Sequence, residues 1–251
     1  MSEGWTPAEY IVVNLARAIR PGEITASGVN SVLPMVACVL AKRAYDFEFT
    51  YISVAGGVDV APRKLPRSSI DPVLLGGSAS IFANEDLYDL AARGRIGLMY
   101  LGAAQIDALG RTNVSAIGSW HAPKVRLPGG GGAAVLMQTV KRIAAWRTEH
   151  SPRSFVDKLD FVTAAGNLAV LVTPFAVFER EPGATDRFHL ASHRGDTTPA
   201  QIAERTGFAF DAARAVPTPP MTPRERAALD ALAATSLIES ELPKPRVAGS
   251  G

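Results

Sequence analysis

Three turns in this chain have residue types and spacing that bear on chemistry. The most conspicuous is Gly129-Gly130-Gly131-Gly132-Ala133. Four glycines ahead of a helix-forming run leave backbone N–H groups able to meet an anion and let a ligand approach the main chain closely. A flexible surface loop would read the same way. No Gly-Lys-Ser/Thr follows the run, so it is not a P-loop, and its spacing is not that of the dinucleotide fingerprint. The second turn, Gly102-Ala103-Ala104-Gln105, follows the apolar run Ile96–Leu101. Small residues after a buried strand expose backbone amides, and Gln105 adds a side-chain donor. Such a group can hold a carbonyl oxygen as charge develops on it. The bland alternative is a tight turn from strand to helix with Gln105 in solvent.

The third turn is notable for what it lacks. Residues 50–57, Thr-Tyr-Ile-Ser-Val-Ala-Gly-Gly, read as the end of a buried strand running into a glycine turn. Active sites of α/β proteins gather just beyond such strand ends. Yet Val54-Ala55-Gly56-Gly57 offers no side chain that can attack, protonate or coordinate. Ser53 and Asp59 flank the position and would either bind water or cap the turn. Of the four histidines, His121 lies shortly before the glycine run and is a candidate ligand contact or a loop hydrogen-bonding group. His189 and His193 sit in a strand-like stretch where they do not converge, and no HExxH motif or carboxylate cluster accompanies them, so no metal site is expected.

Elements must position these turns. Residues 6–20 read as a helix with Thr6 as N-cap, Pro7 in its first turn and Glu9 completing a capping box. A short strand at 24–28, a helix at 30–45 and a strand at 47–55 follow. A helix ended by Gly94 leads into the buried strand before Gly102. The pattern then predicts short strands near 114–118 and at 158–167, 168–179 and 187–195, the last three as a meander. Helices are expected from Thr198 and over 224–239, the latter after the linker Pro217–Pro223. Strands alternating with helices predict an α/β fold with an open, largely parallel sheet and helices on both faces. Residues 1–240 are expected to form one domain with a C-terminal helix, and 241–251 a disordered tail.

The bulk numbers exclude more than they assign. With 251 residues, 47% hydrophobic and 20% charged, the chain can bury a sizeable core. A net charge of +2 gives no case for a nucleic-acid or membrane partner. The single cysteine, Cys38, rules out an internal disulfide and a multi-cysteine zinc site. No signal-peptide pattern and no membrane-length apolar run is visible, so a cytoplasmic protein is expected.

Taken together, 100–118 (YLGAAQIDALGRTNVSAIG), 121–133 (HAPKVRLPGGGGA) and 150–166 (HSPRSFVDKLDFVTAAG) resemble the β subunit of family I CoA-transferases, the glutaconate type above all. The stretch VAGGVDVAPRKLPRS and the late segment TTPAQIAERTGFAFD fit the same pattern, so the similarity runs roughly from residue 7 to residue 232. The resemblance implies an α-type partner in an α2β2 assembly and a site between the subunits. It implies no bound cofactor, with coenzyme A entering as part of an acyl-CoA substrate. Gly129 to Ala133 would then contact CoA or its thioester, Gly130 standing where the family has serine. Gly102, Ala103 and Gln105 would match the Gly-Gly-Ala-Gln turn, with Ala103 in place of the second glycine.

In transferases of this family the strand ends in Glu-x-Gly, and that glutamate attacks the acyl-CoA. Here the matching segment is Val54-Ala55-Gly56, and valine forms neither an anhydride nor a thioester. The expectation is therefore a hydrolase, a hydrolytic ring-opening enzyme or a lyase acting on an acyl-CoA. Two alternatives are a transferase whose nucleophile lies on the partner, and a non-catalytic structural or CoA-binding subunit.

Overall fold

The computed structural model describes residues 5–183 and 185–243, so all but three residues of the expected C-terminal tail lie outside the described residues. In chain order the elements are α1 (Pro7–Arg17), β1 (Ile24–Ser27), α2 (Val32–Ala44), β2 (Thr50–Ser53), β3 (Gly57–Val58), a 3-10 turn (Pro72–Leu75), β4 (Ser80–Ile81) and α3 (Asn84–Ala92). Next come β5 (Ile96–Tyr100), β6 (Gln105–Ile106), β7 (Thr112–Asn113), β8 (Ala116–Gly118), β9 (Pro123–Arg126), α4 (Ala133–Thr139) and β10 (Arg142–Trp146). The last elements of the described residues are β11 (Leu168–Val172), β12 (Ala176–Glu179), β13 (His189–His193), α5 (Pro199–Glu204), β14 (Val216–Pro217), α6 (Pro223–Ala231) and α7 (Thr235–Glu239).

Ten strands form one sheet in the order β14-β13-β12-β11-β10-β5-β1-β2-β3-β4. Its centre, β11-β10-β5-β1-β2, is parallel throughout. Antiparallel pairing enters only at the flanks, through β12 and β13 on one side and β3 and β4 on the other. Alternation along the central strands builds a core on each face. Leu98 and Tyr100 join a cluster with Tyr10 and Leu15 of α1, Leu33 and Leu40 of α2, Leu229 of α6 and Ile238 of α7. Met99 and Ile143 join the opposite cluster with Leu87 of α3, Leu136 of α4 and Ile202 of α5.

The capping box at Thr6 and Glu9 forms as the sequence predicts, and an equivalent box joins Thr222 to Glu225 in α6. The two are cross-linked. Glu9 accepts from Thr6 N–H through Oε2 and pairs through Oε1 with Arg226 at 2.6 Å. Glu225 accepts from Thr222 N–H and takes a two-point contact from Arg17, at 2.8 Å to each oxygen. Burial is the largest single influence on both carboxyls and pushes them up, yet the arginine contacts and cap hydrogen bonds together hold both below the usual range.

Some expectations are corrected. Residues 158–167 are not a strand. Thr163 spends its hydroxyl on Val114 N–H and Ser115, and Gly166, at φ 153°, passes so close to the Met137 carbonyl that a side chain there would collide. Gln105 is not in solvent. It opens β6 and is only 6% exposed. The strand at 47–55 begins only at Thr50, because Tyr45, Phe47 and Phe49 pack as an aromatic row before it. The last helix is two, broken where Ala233 adopts φ 46°. The linker Pro217–Pro223 is not wholly outside the sheet, since Val216–Pro217 pairs with β13.

Candidate functional site

The three turns and the segments that hold them gather around the carboxyl ends of the central strands. At the end of β2, Gly56 N–H donates to the Ser53 carbonyl at 2.9 Å, closing a tight turn with Val54 and Ala55 at its corner. Gly56 needs its φ of 102°, and a side chain on Gly57 would strike Ser78 and the Leu74 carbonyl. The turn is therefore built to close tolerances, and its corner residue Val54 is half-buried and apolar. Ser53 is fully buried, with Oγ accepting from Ala55 N–H at 3.3 Å. Asp59 lies further back along the strand. Its Oδ1 accepts from Tyr51 N–H at 2.8 Å and pairs with Lys42 of α2 at 2.8 Å. These contacts give both residues roles in the fold and do not bring Asp59 to the corner.

At the end of β5, Leu101 N–H donates to Ala144 and Ala104 N–H donates to Asn113. Between them, the N–H groups of Gly102 and Ala103 have no partner among the described residues. Ala103 is 6% exposed and packs into the second core, so alanine in place of glycine does not crowd the open side. Arg147, directly after β10, donates from Nη1 to the Ala103 carbonyl at 3.1 Å and from Nη2 to Ser154 Oγ at 3.2 Å. The peptide joining Ala103 to Ala104 is thus held at its oxygen by Arg147 and at its N–H by Asn113. That fixes the orientation of the neighbouring free amides. Trp146 covers Gly102 from beneath, 3.7 Å from where a Cβ would sit.

Among the described residues Arg147 makes no carboxylate pair, and its Nε is buried without a partner. Burial pulls its guanidinium below the ordinary arginine range, opposed only by Glu149. At neutral pH it remains a cation beneath a turn with two free donors, an arrangement suited to negative charge on an oxygen above it.

Gln105 sits one step further along. Its Oε1 accepts from Asn113 Nδ2 at 2.7 Å, and its Nε2 donates to Asp160 Oδ2 at 3.0 Å. Asp160 also accepts from Gly118 N–H at 3.1 Å. Gln105 is therefore a tie between β6, β7 and the 155–160 segment. In the glycine run, Gly129 N–H donates to Val114 and Ala133 N–H to Gly130, while the N–H groups of Gly130, Gly131 and Gly132 have no partner among the described residues. Side chains at Gly130 and Gly132 would meet Thr163 and Tyr88 respectively. Tyr88 belongs to α3, and just ahead of that helix Phe82 donates its N–H to the Gly56 carbonyl at 3.0 Å. Residues 82–88 thus bridge the vacant corner and the glycine run.

His121 does not join them. It is exposed at the tip of the β8–β9 hairpin, and β9 separates it from the glycine run by about 13 Å. His189 and His193 stay apart on β13, and among the described residues no group of three His, Cys, Asp or Glu could hold a metal ion. Nor is any described helix long and apolar enough to cross a membrane. Sequence reasoning missed Arg147, Asn113, Asp160 and Thr163. A cation directly after the buried run Ile143–Trp146 was the one available signal.

Residues 8–181 match the Coenzyme A transferase family model, and the chain belongs to that family. It is 31% identical over 219 residues to the B-type subunit of 3-oxoadipate CoA-transferase from Pseudomonas knackmussii, covering 80% of this chain and 83% of that protein. Among solved structures, the decarboxylase AibA/AibB superposes with a TM-score of 0.86 at 34% identity, over 94% of this chain and 98% of that one. Glutaconate coenzyme A-transferase from Acidaminococcus fermentans superposes with a TM-score of 0.77 at 25% identity, over 96% of each chain. The mixed α/β sheet seen here is thus the fold of CoA-transferase subunits, as the sequence resemblance implied.

Proposed function

We propose that this chain is the B-type subunit of a two-subunit enzyme that cleaves a carbon–carbon bond of an acyl-CoA thioester, without forming a covalent bond to this subunit. The observation that carries the reading is the corner at Val54, a tightly built turn with an apolar residue, at the same end of the sheet as two free amides at Gly102 and Ala103, with β1 between the two strands that carry them. Decarboxylation asks least of such a wall. The bond to the carboxylate breaks, its electron pair moves into the carbon chain conjugated with the thioester, and charge gathers on the thioester oxygen. The N–H groups of Gly102 and Ala103 receive that oxygen, with Arg147 behind them. A proton returned to carbon completes the product. An apolar corner also strips water from the departing carboxylate, which favours its loss. The similarity to a decarboxylase supports this choice among the cleavages open to a subunit without a nucleophile.

Hydrolysis is the second reading, and it needs a base to prepare water. Ser53 and Asp59 are committed elsewhere, so that base would come from an A-type partner. In both readings coenzyme A enters with the substrate, and the free amides of Gly130, Gly131 and Gly132 contact it. An α2β2 assembly in the cytoplasm fits both. The test uses the chain co-expressed with an A-type subunit and a panel of acyl-CoA esters bearing a second carboxylate. Product mass is followed with and without an acceptor carboxylic acid. Loss of carbon dioxide without acceptor is expected. Gain of water instead would replace decarboxylation by hydrolysis, and consumption only with acceptor would overturn both in favour of transfer.

A further inference from the structure

A cavity lies at the end of the sheet opposite the glycine turns. It occupies about 570 Å³ at the amino ends of β1, β5 and β10, and its lining includes Arg20, Arg95, Lys141, Arg142, Glu23 and Glu181. The five residues of β10 put roughly 17 Å between it and the turn at Gly102. The floor is Arg142, whose side chain is only 9% exposed. All of its contacts with the described residues run through Nη2, to the Ala18 carbonyl at 3.1 Å and to both oxygens of Glu23 at 3.0 and 2.9 Å. Its Nε and Nη1 have no protein partner among the described residues.

Glu23 is kept in place by the absence of a side chain at Gly97, where a Cβ would fall 2.6 Å from the Glu23 Cβ. Glu23 also accepts from Arg20 N–H at 2.8 Å. Among the described residues the side chains of Arg20, Arg95 and Lys141 form no ion pair and no hydrogen bond. Glu23 and Glu181 leave the lining with an excess of positive charge. This largely buried guanidinium pairs with Glu23 through Nη2 alone, so its other donors, ringed by these cations, are open to a second anion.

We propose that this cavity binds a phosphate-bearing anion, at a site separate from the acyl-CoA turn. Arg142 supplies fixed, planar donors from below, as suits phosphate oxygens, and Arg95 and Lys141 close on it from the rim. The volume admits a ligand of nucleotide size, so a free polyphosphate and a nucleotide share the required chemistry. The proposal does not depend on the reaction at the other end of the sheet.

Calorimetric titration of the two-subunit complex tests it, with pyrophosphate, ATP and adenosine as probes at constant ionic strength. One saturable site per copy of this chain is expected for pyrophosphate and ATP, and none for adenosine. ATP binding tighter than pyrophosphate would identify the nucleotide as the natural source, and equal binding a free phosphate. The double variant Arg95→Ala/Lys141→Ala changes only exposed side chains and should fold normally. It should weaken binding about tenfold or more and leave acyl-CoA turnover unchanged. Absence of saturable binding to the unaltered complex, or undiminished binding to the double variant, would overturn the proposal.

Discussion

Strand β10 carries an arginine at each end, and the two are embedded in opposite ways. Arg142, at the amino end, is paired with Glu23 and anchored to Ala18. Arg147, just past the carboxyl end, has no carboxylate among the described residues and holds a backbone carbonyl and a serine hydroxyl. A buried cation with a counter-ion chiefly costs stability when that balance is broken. A buried cation without one retains its field for whatever arrives at the adjacent turn. The same residue type thus serves cohesion at one end of a strand and electrostatic preparation at the other, and the difference lies in the neighbours.

The sharpest break in this comparison is Arg142→Met. It strands Glu23 in the interior and should cost roughly 3–5 kcal/mol of stability, read by urea denaturation. Adding Glu23→Gln to it should recover a substantial part of that loss. Absence of recovery would show that Arg142 matters through packing alone.

The carboxyl side holds another buried titratable group, His150, set between Thr173 and Thr206 at 2.9 Å each. Burial, with a smaller contribution from Arg205, lowers its pKa from 6.5 to about 4. The unfolded chain therefore takes up a proton on this histidine before the folded chain does. Its neutral state favours the fold fully above about pH 6.5, and that contribution is lost as the pH falls to about 4, up to about 3 kcal/mol in all. His150→Gln should flatten the stability profile across that window. A profile as steep as that of the unaltered protein would assign the acid loss to other groups.

Arg147→Met should lower turnover of the two-subunit enzyme about a hundredfold, with KM little changed, because the free amides lose both their backing charge and their fixed orientation. Arg147→Lys should recover part of the rate by restoring the charge without the two-point hold. Equal loss in both variants would assign the effect to orientation, and normal turnover in both would remove Arg147 from the site. The smallest effect belongs to Asp59→Asn. Its pair with the partly exposed Lys42 is worth about 1 kcal/mol or less, and turnover should be unaffected. A large loss of activity would bring Asp59 back to the corner as a working group.

The sequence made the fold class legible because the signals behind it are local and periodic. Thr6, Pro7 and Glu9 announce α1 by capping chemistry, and Ile96–Tyr100 announces a central strand by being apolar almost without interruption. The glycine turns were legible as turns for the same reason. Residues 158–167 misled because their apolar and β-branched content reads as a strand, whereas Thr163 and Gly166 are committed to contacts with 114–115 and 137. Gln105 was singled out as a donor, yet its partner Asp160 lies 55 residues away and no local pattern points to it. Arg147 stood out only as a cation after an apolar run, because its role depends on the Ala103 carbonyl that it meets in the fold. His121 shows the converse, since closeness in sequence to the glycine run did not bring it close in space.

The crossed capping boxes of α1 and α6 have a consequence for the order in which the chain is made. Glu9 leaves the ribosome long before Arg226 exists, so a nascent α1 carries a carboxylate that satisfies its own cap and waits for a cation more than two hundred residues away. Throughout that interval the α1–α2 face lacks the cover of Leu229 and Ile238. Completion of synthesis therefore closes a latch at both helix starts together, and a chain halted before residue 223 would present that apolar face to whatever binds unfinished proteins.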